Sequence, residues 1–274
     1  MKLPLAGVIG CPVGHSRSPI LHGAWLKQYG LRGHYVPLHV EADDLERVLR
    51  AMPAMGFVGA NVTIPHKEAA LALADEVSDT ARQIGAANTL SFRDGRIHAD
   101  NTDAYGFMQN LRDGTPGWRP ETSPALVLGA GGAARAVLVA LTQAGVPEIL
   151  LTNRTRSRAD ELARALGDPI RVLDWESYAQ ALPQAGLVIN TTSLGMDGQP
   201  PLGLPTEALN PDCVVTDIVY TPLETQLLRD AKARGCRVVD GLGMLLHQAV
   251  PGFERWFGIR PEVTVDLRRA VLEQ

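Results

Sequence analysis

Cysteine is scarce in this chain: Cys11, Cys213 and Cys236 are the only three among 274 residues. An odd number cannot pair completely, and no two of them share metal-ligand spacing, so neither a disulfide framework nor a cysteine-built metal site is expected. Buried thiols in a reducing compartment are the simplest reading, which makes the expected location cytoplasmic. Long apolar runs are missing as well. Stretches such as residues 136–141 fall far short of the ~20 apolar residues that span a bilayer. Residues 1–7 are too short and too quickly interrupted to act as a secretion signal. Neither sign of charge dominates: 26 Lys and Arg against 30 Asp and Glu give a net −4, without the basic block that nucleic-acid binding requires. What remains is a chain with 45% hydrophobic and 20% charged residues, suited to one or two globular domains.

The patterning alternates between strand and helix. A strand at residues 5–9 leads through a loop to a helix from about 20 to 29, with Ser18 as its cap and Pro19 in its first position. Ser16 and Ser18 suit either the reading of a polyol or capping and turn chemistry. A strand at 35–38 and a helix from about 43 to 55 follow. A strand at 57–62 then runs into a helix that opens at Pro65. The junction Asn61-Val62-Thr63-Ile64-Pro65-His66-Lys67 offers an amide, a hydroxyl and an ammonium at the carboxyl edge of the sheet, where α/β proteins bind ligands. An ordinary helix start with a solvated lysine also accounts for it. Residues 89–92 and 96–99 read as a hairpin across Asp94-Gly95. That hairpin brings Asn88 close to Asn101-Thr102-Asp103, and Asp103 alone reads as the N-cap of a helix at 104–111.

The loop at 113–124, rich in Gly, Pro and Thr, feeds a second domain. A strand at 125–128 runs into Gly129-Ala130-Gly131-Gly132-Ala133-Ala134-Arg135 and a helix to about 144. Small residues in this setting let backbone amides approach a pyrophosphate at a helix N-terminus. The next strand, 148–152, ends in Asn153-Arg154-Thr155-Arg156-Ser157-Arg158, where an NAD-binding unit usually carries an acidic residue. Guanidinium groups here favour a 2′-phosphate, hence NADP over NAD; a solvated basic helix start is the alternative. Strands at 187–190, 214–219 and 237–239 continue the alternation, with a helix at about 224–233. Met244 and Leu245, after Gly241 and Gly243, suit a core or a nicotinamide-side wall. A last helix, at 263–272, returns to the first domain.

Taken together, these stretches closely resemble the shikimate dehydrogenase family. The matching pieces are Gly14-His15-Ser16-Arg17-Ser18-Pro19, the Asn61 to Lys67 junction, Gly85-Ala86-Ala87-Asn88-Thr89 and Asp100-Asn101-Thr102-Asp103. They continue with the glycine loop, Asn153-Arg154-Thr155, Asn190-Thr191-Thr192-Ser193, Asp217-Ile218-Val219-Tyr220 and Gly241-Leu242-Gly243-Met244-Leu245. The resemblance implies two α/β domains with an interdomain cleft, the second a Rossmann-like dinucleotide-binding domain. Residues 1–103, completed by C-terminal helices at about 244–274, would bind substrate and carry catalysis; residues 104–243 would bind NADP.

The same resemblance implies an NADP-dependent oxidoreductase that reversibly reduces 3-dehydroshikimate to shikimate in aromatic amino-acid (chorismate) biosynthesis. Lys67 and Asp103 would be the catalytic pair. Ser16, Ser18, Thr63, Asn88, Tyr220 and Gln248 would hold the substrate. The cofactor would meet Gly129, Ala130, Gly131, Gly132 and Ala133, then Asn153, Arg154, Thr155 and Arg158. Thr191, Ser193, Ile218, Gly241, Met244 and Leu245 would complete its site, with Asp79 on the nicotinamide side. Lys67 suits a proton donor or an electrostatic stabiliser of the developing alkoxide. Cys11 and Gly23 stand where many members have asparagine. No metal is expected, and the partners would be small molecules, neither nucleic acid nor membrane, bound by a monomer or homodimer. A broader quinate/shikimate dehydrogenase using NAD and a catalytically silent NADP-binding regulator are the rival readings.

Overall fold

The computed structural model describes residues 3–273, which divide into two compact units. One takes the chain up to Thr102 and again from Leu246 on; the other is Asp103–Leu245. Among the described residues, no helix is long and apolar enough to cross a membrane.

The first unit runs β1 (Leu5–Gly10), α1 (Ser18–Gln28), β2 (His34–His39), α2 (Leu45–Ala51), β3 (Phe57–Val62), α3 (Lys67–Leu73), β4 (Glu76–Val77), α4 (Asp79–Ile84), β5 (Thr89–Arg93) and β6 (Arg96–Asp100). Its sheet has the order β2-β1-β3-β5-β6-β4. The first three strands are parallel, and β5 is antiparallel to both its neighbours. Side chains alternate across a strand: Ile9 joins Leu45, Leu49 and Met52 in one apolar cluster, whereas Ala6 and Val8 join Tyr35 and Trp256 in another. Asp94 and Gly95, with φ of 51° and 74°, make the hairpin turn between β5 and β6, as two positive φ values require.

Several expected boundaries are corrected. α3 begins at Lys67, not at Pro65: the His66 amide donates to the Thr63 carbonyl at 3.0 Å, so Pro65, after a cis bond, sits inside the turn that precedes the helix. α1 begins at Ser18 itself, so Ser18 is not its cap; the Ser16 hydroxyl accepts from the Ser18 amide at 3.3 Å instead. The helix expected over 43–55 is a short 3-10 turn at Ala42–Asp44 followed by α2, which stops where Pro53 has no amide hydrogen for the Leu49 carbonyl. β4 had no counterpart in the sequence reading.

The second unit runs α5 (Asp103–Gly114), β7 (Ala125–Leu128), α6 (Gly132–Gln143), β8 (Ile149–Thr152), α7 (Arg156–Leu166), β9 (Ile170–Leu173), β10 (Leu187–Asn190), β11 (Val214–Asp217), α8 (Gln226–Ala233) and β12 (Arg237–Val239). α9 (Leu242–Phe257) crosses the boundary between the units, and α10 (Val265–Leu272) lies in the first. α5 carries the helix through Asp113, so the loop expected from there starts two residues later. Asp103 is the first residue of α5 rather than a residue before it. The second sheet is parallel throughout, in the order β12-β11-β10-β7-β8-β9. Every residue of β7, β8, β10 and β11 is buried, as expected of parallel strands covered on both faces. This is the doubly wound order of dinucleotide-binding domains, with its reversal between β7 and β10.

Candidate active site

In the first unit a connected set of buried amides and hydroxyls lies at the end of β3, the start of β5 and just beyond β6. Asn61 is 5% exposed. Its Oδ1 accepts from the Tyr35 hydroxyl at 2.7 Å, and its Nδ2 donates to the Asn88 carbonyl at 3.1 Å and Thr89 Oγ1 at 3.2 Å. Asn88 Oδ1 accepts from the Thr102 amide at 2.8 Å and from Thr89 Oγ1 at 2.9 Å, while its Nδ2 donates to Gln248 Oε1 at 3.4 Å. The hairpin thus joins Asn88 to Thr102 as expected, and α9 brings Gln248 to the same cluster. Asn61, expected to offer its amide at the carboxyl edge of the sheet, and Thr102, expected only to lie near Asn88, instead position Asn88 through these hydrogen bonds. The signal was there, because a polar side chain in an otherwise apolar strand needs a buried partner.

Lys67 is half-buried, and its carbonyl accepts from the Ala87 amide at 2.9 Å, tying α3 to the segment before Asn88. His66 is buried, with Nε2 2.7 Å from the Val40 carbonyl. A carbonyl only accepts, so Nε2 carries the proton. Thr63, just beyond β3, donates its amide to the Ile9 carbonyl at 2.9 Å. A Cβ on Gly10 would stand 2.5 Å from Thr63 Cγ2, so glycine there lets the two strand ends close up. Ser16 is half-buried and Ser18 buried. Asp79, first in α4, is fully exposed and pairs with Arg82 at 2.7 Å.

In the second unit the loops after β7, β8, β10 and β11 meet at the carboxyl edge of the sheet. Gly129 has φ +112°, and a Cβ there would lie 2.6 Å from Thr191 Oγ1. Thr191 in turn donates both its amide and its hydroxyl to the Leu128 carbonyl, each at 2.8 Å. Ala130 and Ala133 are half-buried, whereas a Cβ on Gly131 or Gly132 would meet nothing within 4 Å. The space beside Gly131 and Gly132, at the start of α6, is therefore open. Beside them, the Asn153 side chain donates to the Thr155 carbonyl at 2.8 Å and shapes the loop after β8.

The three arginines of that loop are not equivalent. Arg156 is held by Asp174 and, at 3.6 Å, by Asp160. Arg154 and Arg158 are exposed and have no carboxylate partner among the described residues. Two uncompensated guanidinium groups at the end of the second strand fit a phosphate ester and disfavour a bare ribose.

Asp217 organises the remaining loops and was missed as a positioning residue. Fully buried, it accepts from Asn190 Nδ2 and the Val219 amide, each at 3.0 Å, and from the Thr225 hydroxyl at 2.8 Å. Burial pushes its carboxyl above the ordinary value, against the pull of those donors. Thr191, exposed Ser193, half-buried Ile218 and half-buried Tyr220 hang from this arrangement. A Cβ on Gly241 would stand 2.3 Å from the Ile218 carbonyl oxygen, so this glycine admits a close backbone approach. Met244 and Leu245 are half-buried, not core.

Comparison with known proteins bears on both units. The family description "Shikimate dehydrogenase substrate binding domain" matches residues 8–90, "Shikimate / quinate 5-dehydrogenase" matches 118–195, and "Shikimate 5'-dehydrogenase C-terminal domain" matches 241–271. The shikimate dehydrogenase (NADP(+)) of Cereibacter sphaeroides is 63% identical over 273 residues, covering 99% of this chain and 98% of its own. The chain belongs to the shikimate dehydrogenase family. Among solved members of that family, the shikimate 5-dehydrogenase of Thermus thermophilus in complex with NADP(H) and shikimate is 39% identical, with a TM-score of 0.87 over 99% of each chain. The quinate dehydrogenase of Corynebacterium glutamicum in complex with NAD is 33% identical, with a TM-score of 0.92 over 99% of each chain. Relatives of one shape thus include enzymes named for different polyols and nicotinamide cofactors, so the site residues have to decide between them.

Proposed function

We propose that this protein is the NADP-dependent shikimate dehydrogenase of its cell, reversibly reducing 3-dehydroshikimate to shikimate, the alcohol carried forward in aromatic biosynthesis. Full-length similarity to shikimate dehydrogenases of the NADP(+) type carries the reading, and the chemistry of the site supports it. Residues 1–103 with the C-terminal helices form the substrate domain, and 104–243 form the cofactor domain. The enzyme works in the cytoplasm as a monomer or homodimer.

NADPH fits the residues present. Gly131 and Gly132, where a side chain would meet nothing within 4 Å, leave room for a pyrophosphate at the start of α6. Arg154 and Arg158, with Asn153 and Thr155 between and beside them, suit the 2′-phosphate. Thr191, Ser193, Ile218, Gly241, Met244 and Leu245 complete the contacts, with Asp79 in the substrate domain toward the nicotinamide. Bound there, the cofactor supplies a hydride to the ring carbonyl carbon. The chain supplies the rest. Ser16, Ser18, Thr63, Asn88, Tyr220 and Gln248 hold the carboxylate and hydroxyls of the substrate; the Thr63 hydroxyl has no hydrogen-bond partner among the described residues, leaving it available for this. Lys67 presents an ammonium to the carbonyl oxygen as it gains negative charge, and donates the proton that makes it a hydroxyl. Asp103 hydrogen-bonds that hydroxyl and fixes its direction.

The test is reduction of NADP or NAD, followed by the near-ultraviolet absorbance of the reduced nicotinamide, with shikimate or quinate as substrate. Turnover confined to shikimate with NADP is the expected result. Comparable turnover with quinate or NAD would replace the proposal with a broader polyol dehydrogenase. NADP binding without turnover of either alcohol would identify a silent regulator.

A further inference from the structure

Three side chains of different chemistry converge where β1 and β2 end, and neither catalysis nor cofactor binding uses them. Cys11 Sγ lies 3.6 Å from His39 Nε2 and 3.4 Å from Glu41 Oε2, and His39 Nε2 lies 3.0 Å from Glu41 Oε1. One donor atom from each falls within 4.8 Å of the other two. Ligand atoms about 2.0–2.3 Å from a tetrahedral zinc stand roughly 3.3–3.7 Å from one another. The spacing around this triad is close to that of a single coordination shell.

The backbone holds the triad in place. Gly10 and His39 are register partners in the parallel pair of β1 and β2, and the Val40 amide extends the ladder to the Gly10 carbonyl at 3.2 Å. Glu41 is extended (φ −72°, ψ 156°), so His39 and Glu41, two residues apart, project to the same side. Val40 between them is buried in the core, and its carbonyl takes the His66 ring. Just beyond β1 the Cys11 amide donates to the Ile64 carbonyl at 3.2 Å. His39 and Glu41 keep 55% and 67% of their side-chain surface exposed, leaving a side open for water.

We propose that Cys11, His39 and Glu41 form a binding site for a borderline-soft transition-metal dication of the zinc class, with three protein ligands and an open fourth position. The sulfur and imidazole select against Mg²⁺ and Ca²⁺. Binding replaces the thiol proton of Cys11, which is released to solvent. The ion would clamp the end of β2 to the loop that leads to Ser16 and Ser18 and, through Cys11, to the segment preceding Lys67. Sequence spacing hides such a site, because 28 residues separate Cys11 from His39.

Cobalt(II) is the probe, titrated into the tag-free full chain in a non-chelating buffer. The expected result is one equivalent bound with a thiolate-to-cobalt absorption band that added Zn²⁺ bleaches. Cys11→Ser abolishes the band, and His39→Ala and Glu41→Gln each weaken binding by about 10-fold or more, at least what loss of a supporting group costs. All three positions are at least partly exposed, and circular dichroism checks that each variant folds. Cys213 and Cys236 serve as internal controls, since a band arising from them would survive Cys11→Ser. Absence of a thiolate band in the wild type, or its persistence in Cys11→Ser, would overturn the site. Unchanged affinity in both His39→Ala and Glu41→Gln would overturn the three-ligand assignment.

Discussion

At Lys67 the backbone and the side chain do separate work. The carbonyl holds the Ala87 amide, and Lys67→Ala keeps that bond while removing the ammonium. Turnover is expected to fall by about 10²–10⁴-fold with KM much less changed; steady-state kinetics in which KM rises and turnover survives would remove Lys67 from the chemistry. Arg154→Ala is expected to weaken NADP far more than NAD, measured by calorimetry, and an equal loss for both would make the arginine a mere surface charge. Asp100 answers to pH. Burial alone would raise its carboxyl, but the Ser78 hydroxyl and the Arg255 guanidinium hold it below the ordinary value. A depressed folded value means that the group stabilises the fold above its unfolded value of about 3.9 and loses that contribution as pH falls through the folded value. Thermal midpoints followed down through that acid range should drop less steeply for Asp100→Asn than for the wild type.

Among the elements, strands were more legible than helix starts. β3, β7, β10 and β12 stand where apolar runs bounded by glycine, proline or polar residues place them. Pairing within a sheet leaves a strong mark on its central strands. β4 and β9 left none, since a two-residue edge strand and the partly exposed Ile-Arg-Val-Leu of β9 gain their structure from a neighbour. Helix starts misled because serine and proline are versatile at turns: Ser18 is the first residue of α1, behind Arg17 at the cap position, and Pro65 belongs to a turn. The glycine loop was readable from its setting, whereas Asp217 was not, because its three donors come from residues 190, 219 and 225. Asp217→Ala would leave those donors without their acceptor in a buried place. A loss of about 3 kcal/mol or more in chemical denaturation is expected, together with weaker NADP binding as the loops after β10 and β11 loosen. Unaltered stability would mean that water replaces the carboxylate.

For the molecule as a whole, the alternation of strands and helices and the loop at 113–124 point to a second domain, and the family resemblance implies two α/β units, which the structure has. Each unit has its own sheet and core, so each ligand should protect mainly the unit that binds it. With NADP at 100 times its Kd, binding stabilises the folded state by about 2.7 kcal/mol. Hydrogen exchange should slow in β7, β8, β10 and β11 with NADP, and around Asn61, Asn88 and Gln248 with shikimate. Exchange that slows in the first unit alone on adding NADP would reverse the assignment of roles.

Trp256 carries one more consequence. Its indole donates to the Leu90 carbonyl at 3.0 Å across 166 residues of sequence, and it fills the space that a Cβ on Gly59 would occupy. On the ribosome, β6 is therefore finished long before the helix that covers this face has been translated. While the entire second unit emerges, the nascent first sheet has α1 but not α9 against that face, so its folding ends only after a younger neighbour can already be complete.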